Sequence, residues 1–149
     1  MSTRPPAERL EAIEALLEEL RDRGPDVAVL VEGDRDIAAL RSLEVPGPLV
    51  KVNVGESLLN LCERIGDRFD GFVLLTDWDA KGSELAGKLR TYLESAGCDV
   101  DASVRNMLGA LVRYETREVE ALPSHISRLR ARAGADQRRP SVMLRRQGF

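Results

Sequence analysis

The distribution of apolar residues predicts buried strands that alternate with amphipathic helices. Residues 27–31 and 72–76 are apolar almost throughout, as expected of strands covered on both faces. Residues 49–54 and 100–104 give two weaker strands. Between them, apolar residues recur at three- and four-residue steps, which predicts helices over 6–22, 34–43, 56–65 and 81–96. This alternation predicts an α/β fold, with a parallel sheet, helices on both faces and right-handed crossovers.

The chain divides into three predicted parts. Residues 1–25 form an N-terminal helix packed on the core, opened by Pro5-Pro6 and closed by Gly24-Pro25. Residues 26–133 form the α/β domain with a C-terminal helical extension. Within that extension, short helices are predicted over 107–114 and 124–133. Residues 134–149 lack periodicity, which predicts a flexible basic tail.

Acidic side chains follow the two most apolar strands directly. Glu32 comes after the first of them, and Asp77 and Asp79 come after the other. Carboxylates at the end of a buried strand repel one another unless a cation offsets their charge. Mg²⁺ prefers oxygen ligands, and Mn²⁺ is the alternative ion. The sequence therefore predicts that Glu32, Asp77 and Asp79 converge on a divalent metal.

A meeting of these carboxylates also predicts the strand order. For Glu32 to reach the aspartates, the first and third strands must be neighbours. The second strand then lies on the other side, which gives a four-stranded sheet in the order 2-1-3-4. This order reverses beside the first strand, where ligands bind in open parallel sheets.

Four neighbouring residues are predicted to support the site. Gly33 gives a tight turn into the helix after the first strand, and Asp36 supports Glu32 or an arginine, with direct metal ligation left open. Gly82 permits close backbone approach at the start of the next helix. That helix N-terminus and Lys81 both favour a bound phosphate.

Both acidic segments resemble the motifs of a known domain. Residues 32–36, with the sequence EGDRD, resemble the EGxxD element of the Toprim domain, and residues 77–82, DWDAKG, resemble its DxDxxG element. Toprim domains occur in type IA and type II topoisomerases, bacterial-type primases, OLD-type nucleases, the ribonuclease that matures 5S ribosomal RNA, and small stand-alone proteins. The resemblance implies a three-layer Rossmann-like fold. It also implies a general acid/base role for Glu32, and Mg²⁺ binding by Asp77 and Asp79 during nucleotidyl transfer or phosphodiester cleavage.

Charge is distributed unevenly along the chain. The net charge is −3, yet residues 128–149 carry seven arginines against the single acid Asp136. Such a basic tail predicts nucleic-acid contacts. A tail that folds back on acidic helices explains the same pattern. The predicted contact residues are Arg138, Arg139, Arg145 and Arg146.

Hydropathy, the N-terminal residues, the cysteines and the histidine limit which kinds of protein and site the sequence is compatible with. No apolar run approaches the length of a membrane span. The first residues lack the pattern of a secretory signal, which predicts a cytoplasmic protein. Cys62 and Cys98 have no metal-ligand or disulfide spacing. His125, the single histidine, is expected on the surface or in helix packing.

Three functions remain open at this stage. The leading hypothesis is a Mg²⁺-dependent nuclease or nucleotidyl-transfer enzyme acting on RNA or DNA, with structured RNA favoured. The second is a non-catalytic accessory module that binds metal, nucleic acid or a protein partner, self-association included. The third is phosphatase-like or nucleotide-binding chemistry at the same strand edge, although the Gly-rich phosphate loops are absent. Topoisomerase and primase activities are disfavoured because the chain has no room for their additional domains.

Overall fold

The computed structural model describes residues 4–147, and it describes side chains for residues 4–135. Its elements, in chain order, are α1 (Pro6–Asp22), β1 (Val27–Val31), α2 (Asp34–Ser42), β2 (Leu49–Lys51), α3 (Leu58–Gly66), β3 (Gly71–Leu74), α4 (Ala80–Ser95), β4 (Asp99–Asp101), α5 (Ser103–Val112), a 3-10 turn (Val119–Ala121) and α6 (Leu122–Gln147). No helix within residues 4–147 combines the length and apolar character that crossing a bilayer requires.

The four strands form one parallel sheet in the order β2-β1-β3-β4. The predicted α/β class and strand order are therefore confirmed. In the register of β1 and β3, Leu30 lies beside Leu74. The ladder continues past β3, because the N–H of Leu75 donates to the carbonyl of Leu30 at 2.8 Å. The carboxyl ends of the two central strands thus lie side by side.

Helices cover both faces of the sheet. Alternate residues of a strand point to opposite faces. Val29 and Val31 of β1 pack with α1, α2, α5 and α6, whereas Ala28 and Leu30 pack with α3 and α4. All four side chains are buried. Burial on both faces explains why β1 shows no polar alternation in the sequence.

Helix α1 is held to the sheet by apolar packing and by one arginine. Its bounds match the prediction, and its buried residues share a core with β1 and β3. Arg23, at the C-cap of α1, donates to the carbonyls of Leu20 at 2.8 Å, Val27 at 2.9 Å and Pro48 at 3.0 Å. These bonds connect the end of the helix to β1 and to the loop before β2.

Near the ends of strands, the start of one helix agrees with the prediction and the start of another differs. The helix α2 begins at Asp34, as predicted, with Gly33 as its N-cap, and the carboxylate of Asp34 pairs with Lys51 at 3.0 Å. The helix α5 begins at Ser103 rather than at residue 107. The side chain of Asp101 explains this start, since its Oδ1 accepts from the N–H of Ser103 at 2.7 Å.

The last helix differs most from the sequence prediction. The backbone of α6 continues to Gln147, where the sequence predicted a helix ending at residue 133 and an irregular tail. Arginine, alanine and glutamine propagate helices without any apolar periodicity, which is why the pattern did not reveal this extension. The predicted contact residues Arg138, Arg139, Arg145 and Arg146 lie outside the residues whose side chains are described.

Candidate functional site

Glu32 and Asp77 meet where β1 and β3 end. The Oε2 atom of Glu32 accepts a hydrogen bond from the backbone N–H of Asp77 at 2.8 Å. The parallel register of the two strands brings residues 32 and 77 to the same edge of the sheet.

Both aspartates of the DWD segment are fixed by backbone amides. The Oδ1 atom of Asp77 accepts from the N–H of Val119 at 2.9 Å. Asp79 is the N-cap of α4, and its Oδ1 accepts from the N–H of Gly82 at 2.6 Å. Asp79 therefore caps α4, which is a structural role that needs no metal. Its carboxylate still lies near enough to raise the pKa of Glu32 and of Asp77.

Gly82 allows α4 to start directly against the end of β3. A Cβ atom at this position would lie 2.1 Å from the carbonyl oxygen of Asp77. The hydroxyl of Thr76 donates to the carbonyl of Gly82 at 2.7 Å, which joins the strand end to the helix. The close approach predicted at Gly82 is thus made by the chain itself. Lys81, the neighbouring residue, is exposed.

Gly33 and Asp36 shape the loop that follows β1. Gly33 has an extended backbone with φ of −155°, and a Cβ there would meet no atom within 4 Å. The chain does turn into α2 here, but this backbone conformation suits any residue, so the turn does not depend on glycine. Asp36 is buried, and its Oδ2 accepts from the N–H of Gly33 at 3.1 Å.

A cleft of about 260 Å³ opens above these residues, and we refer to it as the acidic cleft. Most of its lining side chains are acids that follow β1 and β3. Its full lining consists of Glu32, Gly33, Asp34, Arg35, Asp36, Asn53, Asp77 and Glu120. A larger cavity of about 500 Å³ lies at the opposite edge of the sheet, beside Val27, Gly71 and Asp99, and contains none of the predicted site residues.

The acidic cleft concentrates negative charge in a partly buried place. Burial raises the pKa of Glu32, Asp36 and Asp77, and neighbouring carboxylates raise the pKa of each of them further. Glu120 contributes to this repulsion at Asp36 and Asp77. The charged forms of these acids are thus disfavoured unless a cation enters the cleft.

Arg105, from α5, is the buried cation beneath the site. It donates to the carbonyl of Thr76 at 3.0 Å, to the carbonyl of Asp77 at 2.5 Å and to the hydroxyl of Ser83 at 3.1 Å. Burial lowers its pKa, while the nearby carboxylates of the cleft act in the opposite direction. Its bonds hold the backbone of the loop and leave the carboxylates of the cleft available.

Sequence reasoning missed two contributors to the site. Glu120 lies in the segment 116–123, which follows the predicted sheet and carries neither of the two motifs. The acids Glu118 and Glu120 were the only signal in that segment. Arg105 gave no signal, because nothing in its own surroundings distinguishes it from the other arginines of the chain. Both come from elements that follow the sheet in the sequence and fold back over its edge.

The donor set suits a hard cation. Every titratable ligand in the acidic cleft is a carboxylate, and Mg²⁺ or Mn²⁺ binds such oxygens. The second point of fit is the repulsion that raises the pKa of Glu32 and of Asp77, to which Asp79 contributes from outside the lining of the cleft. Within the part of the chain whose side chains are described, no three or more acidic, histidine or cysteine side chains are placed so that they could hold a metal ion together. One oxygen each of Glu32, Asp77 and Asp79 accepts from a backbone amide, so a bound metal would have to use the other oxygen.

Comparison with known proteins identifies relatives over most of the chain. It is 38% identical over 127 residues to a UPF0292 protein of Methanosarcina barkeri, covering 85% of this chain and 88% of that protein. A UPF0292 protein of Pyrococcus horikoshii is 39% identical over 119 residues, covering 78% of this chain and 86% of that protein. A solved structure of a protein from Aquifex aeolicus has a TM-score of 0.61 at 23% identity, covers 72% of this chain and 94% of that one, and shows the fold alone. No family model matches the sequence. By its likeness to these relatives, the chain belongs to the UPF0292 family.

Proposed function

We propose that this protein is a Toprim-type, divalent-metal-dependent enzyme that cleaves or transfers phosphodiester bonds of nucleic acid, with structured RNA as the favoured substrate. The observation that carries the proposal is the contact between Glu32 and Asp77 at the shared end of β1 and β3. Two motifs that are far apart in the chain meet there, at the edge where parallel sheets bind ligands.

In this proposal three carboxylates bind the metal, and one of them, Glu32, also acts as the general acid or base. Glu32, Asp77 and Asp79 hold Mg²⁺, with Mn²⁺ as a substitute. A metal at this position supplies charge neutralisation at the phosphoryl oxygens and an activated oxygen nucleophile. Burial and the adjacent acids raise the pKa of Glu32 in the metal-free protein, and a carboxyl at this position is suited to general acid/base catalysis.

Two cations are suited to hold the phosphates of the substrate. Arg35 lines the acidic cleft and Lys81 lies in the first turn of α4. Both are exposed, and neither has an acidic partner among residues 4–135. The N-terminus of α4 adds a partial positive charge at the same place. Gly33 carries no side chain into the cleft, which leaves space for a substrate backbone.

One observation favours the non-catalytic accessory module as the second candidate. Each of the three carboxylates already accepts a hydrogen bond from a backbone amide, of Asp77, Val119 or Gly82. Acids that brace loops in this way contribute to structure without any metal. In this alternative the protein binds metal and nucleic acid, or a protein partner, but has no turnover.

The two candidates are separated by a cleavage assay. Labelled RNA and DNA hairpins and single strands are incubated with the full chain and Mg²⁺, Mn²⁺ or EDTA. The enzyme hypothesis predicts metal-dependent cleavage that falls by about a hundredfold or more in Asp77→Asn. Asp70→Asn is the matched control, since Asp70 is an exposed aspartate at the opposite end of β3. Binding without turnover by the wild type supports the accessory module, and equal turnover in Asp77→Asn rejects this site.

A further inference from the structure

A second cleft lies beside the acidic cleft. It has a volume of about 430 Å³ and is lined by Trp78, Arg113, Tyr114 and Arg117, and we refer to it as the basic–aromatic cleft. Its volume falls within the range of about 300–1,000 Å³ that small-molecule sites occupy. Its lining combines aromatic rings with arginines, in contrast to the carboxylates of the acidic cleft.

The two clefts lie on either side of the same pair of chain segments. The N–H of Trp78 donates to the carbonyl of Arg117 at 2.8 Å, and the N–H of Val119 donates to Oδ1 of Asp77 at 2.9 Å. Residues 77–78 therefore run alongside residues 117–119. Asp77 lines the acidic cleft while its neighbour Trp78 lines the basic–aromatic cleft. A single extended ligand that crosses this loop reaches both.

The indole of Trp78 is held in a fixed position. Its Nε1 donates to the carbonyl of Arg105 at 2.7 Å. A Cβ atom on Gly109 would lie 2.5 Å from Cδ1 of Trp78, so the ring rests directly against the backbone of α5. The ring is nonetheless partly exposed. A rigid, partly exposed aromatic ring is a suitable platform for a flat ligand.

The cations of this cleft are held without acidic partners. The guanidinium of Arg113 lies 4.6 Å from the centre of the Tyr114 ring and donates to its hydroxyl at 2.7 Å. Arg117 is exposed and has no ion pair with any residue in the range 4–135. Tyr114 is 53% exposed, which is the largest value among the exposed large hydrophobic side chains described. Exposed arginines and aromatic rings together bind phosphates and stack on bases.

We propose that the basic–aromatic cleft binds an unpaired nucleotide next to the phosphodiester that enters the acidic cleft. Its base stacks on the exposed ring of Tyr114, close to Trp78, and Arg113 and Arg117 neutralise the flanking phosphates. Stacking on a protein ring requires a base that is free of its partner strand. The inference deepens the function proposed above and rests on it, because it places single-stranded nucleic acid beside the reactive bond.

Trp78 provides a direct probe, because it is the only tryptophan of the chain. Oligonucleotides of about ten residues, in RNA and DNA form, are titrated into the full chain in EDTA, so that no metal-dependent cleavage occurs. The proposal predicts saturable quenching of the tryptophan fluorescence. Tighter binding of RNA or of DNA supports it in either case and identifies the substrate. Absence of any saturable quenching overturns it.

Variants separate this cleft from general electrostatic attraction. Tyr114→Ala is expected to weaken binding about tenfold, whereas Tyr114→Phe keeps the ring and the affinity. Arg117→Gln is expected to weaken binding and to lower the slope of log K against log salt by about one. The matched control is Arg68→Gln, since Arg68 also lies over an aromatic ring, 5.7 Å from the centre of Phe69, but after α3.

The outcomes distinguish this inference from the enzyme hypothesis. Equal affinities for Arg117→Gln and Arg68→Gln, or an unchanged affinity for Tyr114→Ala, overturn the cleft as a binding site. If binding depends on Tyr114 and Arg117 but no metal-dependent cleavage is found, the cleft stands and the enzymatic function fails. Circular dichroism of each variant checks that its fold is retained.

Discussion

Oε2 of Glu32 accepts a hydrogen bond of 2.8 Å from the backbone N–H of Asp77, 45 residues further along the chain. The contact exists because β1 and β3 are parallel neighbours whose carboxyl ends are aligned. The carboxylate of Asp77 is in turn held by the N–H of Val119. The position of the acids is therefore a direct consequence of the strand order. Substitutions at Glu32 or Asp77 test this contact.

Glu32→Gln is expected to keep the fold and lose turnover. The amide oxygen of glutamine still accepts the bond from the N–H of Asp77, while the negative charge and the exchangeable proton are removed. Glu32→Ala leaves that amide without a partner, which costs about 1–3 kcal/mol where the amide is buried. Thermal unfolding and the cleavage assay, run on both variants, check this. If Glu32→Gln lowers the melting temperature as much as Glu32→Ala does, the hydrogen bond from the N–H of Asp77 does not stabilise the fold as proposed.

Gly82→Ala is expected to destabilise the protein by about 1–3 kcal/mol, because its Cβ overlaps the carbonyl oxygen of Asp77 and nothing flexible can yield. Gly87→Ala is the matched control in the same helix, α4. A Cβ at Gly87 meets no atom within 4 Å, so alanine there should stabilise by about 0.5–1 kcal/mol. Urea unfolding of the two variants measures both effects. Similar free energies of unfolding would mean that α4 does not press against the loop as the structure shows.

Asp36→Asn is expected to stabilise the metal-free protein. Burial and the charges of Asp77 and Glu120 raise the pKa of Asp36, so its ionised form is disfavoured in the fold at neutral pH. The asparagine oxygen preserves the bond from the N–H of Gly33. A higher melting temperature in EDTA, relative to the wild type, is the expected result, and a lower one contradicts the repulsion in the acidic cleft.

The burial of His125 is expected to make the folded protein less stable in mild acid. The side chain is fully buried, and its Nδ1 lies 3.0 Å from Oε2 of Glu115, although neither ring nitrogen has the geometry of a hydrogen bond with the described residues. Burial lowers the pKa of His125. The unfolded chain thus takes up a proton first as the pH falls below 6.5, the ordinary value, so stability is lost from there down toward the folded pKa.

The partner of His125 acts in the same direction at lower pH. Burial acts to raise the pKa of Glu115, but Arg132 and Arg9 outweigh it and hold that pKa below its usual value. The stabilising contribution of Glu115 is therefore lost as the pH falls through that lower range.

The experiment that tests the claim on His125 compares the free energy of unfolding at about pH 7.5 and about pH 5.5, in the wild type and in His125→Gln. Between these two pH values, the free energy of unfolding of the variant should fall less than that of the wild type, by up to about 1 kcal/mol. An equal fall in both proteins would reject a buried neutral histidine.

The strand order and the principal acids were predictable from local patterns. Two strongly apolar strands, each followed by acids, indicate the edge of the sheet at which a polar site is expected. The requirement that Glu32 meet Asp77 then selects the order of the strands. These inferences need only the strand period and the placement of charges, which is information that the sequence carries locally.

The remaining features depend on contacts between distant segments. Arg105 supports the loop from α5, and Glu120 reaches the acidic cleft from the turn before α6, although no motif links either to the strands. Which acid of the DWD segment caps the following helix becomes evident only from the start of α4 at Ala80. The backbone of residues 134–147 is helical, but the sequence there has no apolar periodicity from which a helix could be predicted.

Calorimetric titration of Mg²⁺ into the full chain is the most direct test of whether these acids form a metal site. The wild type should bind the ion, Asp77→Asn should bind it at least about tenfold more weakly, and Asp70→Asn at the other end of β3 should match the wild type. Equal Mg²⁺ affinities for wild type and Asp77→Asn would contradict a metal site at Glu32, Asp77 and Asp79.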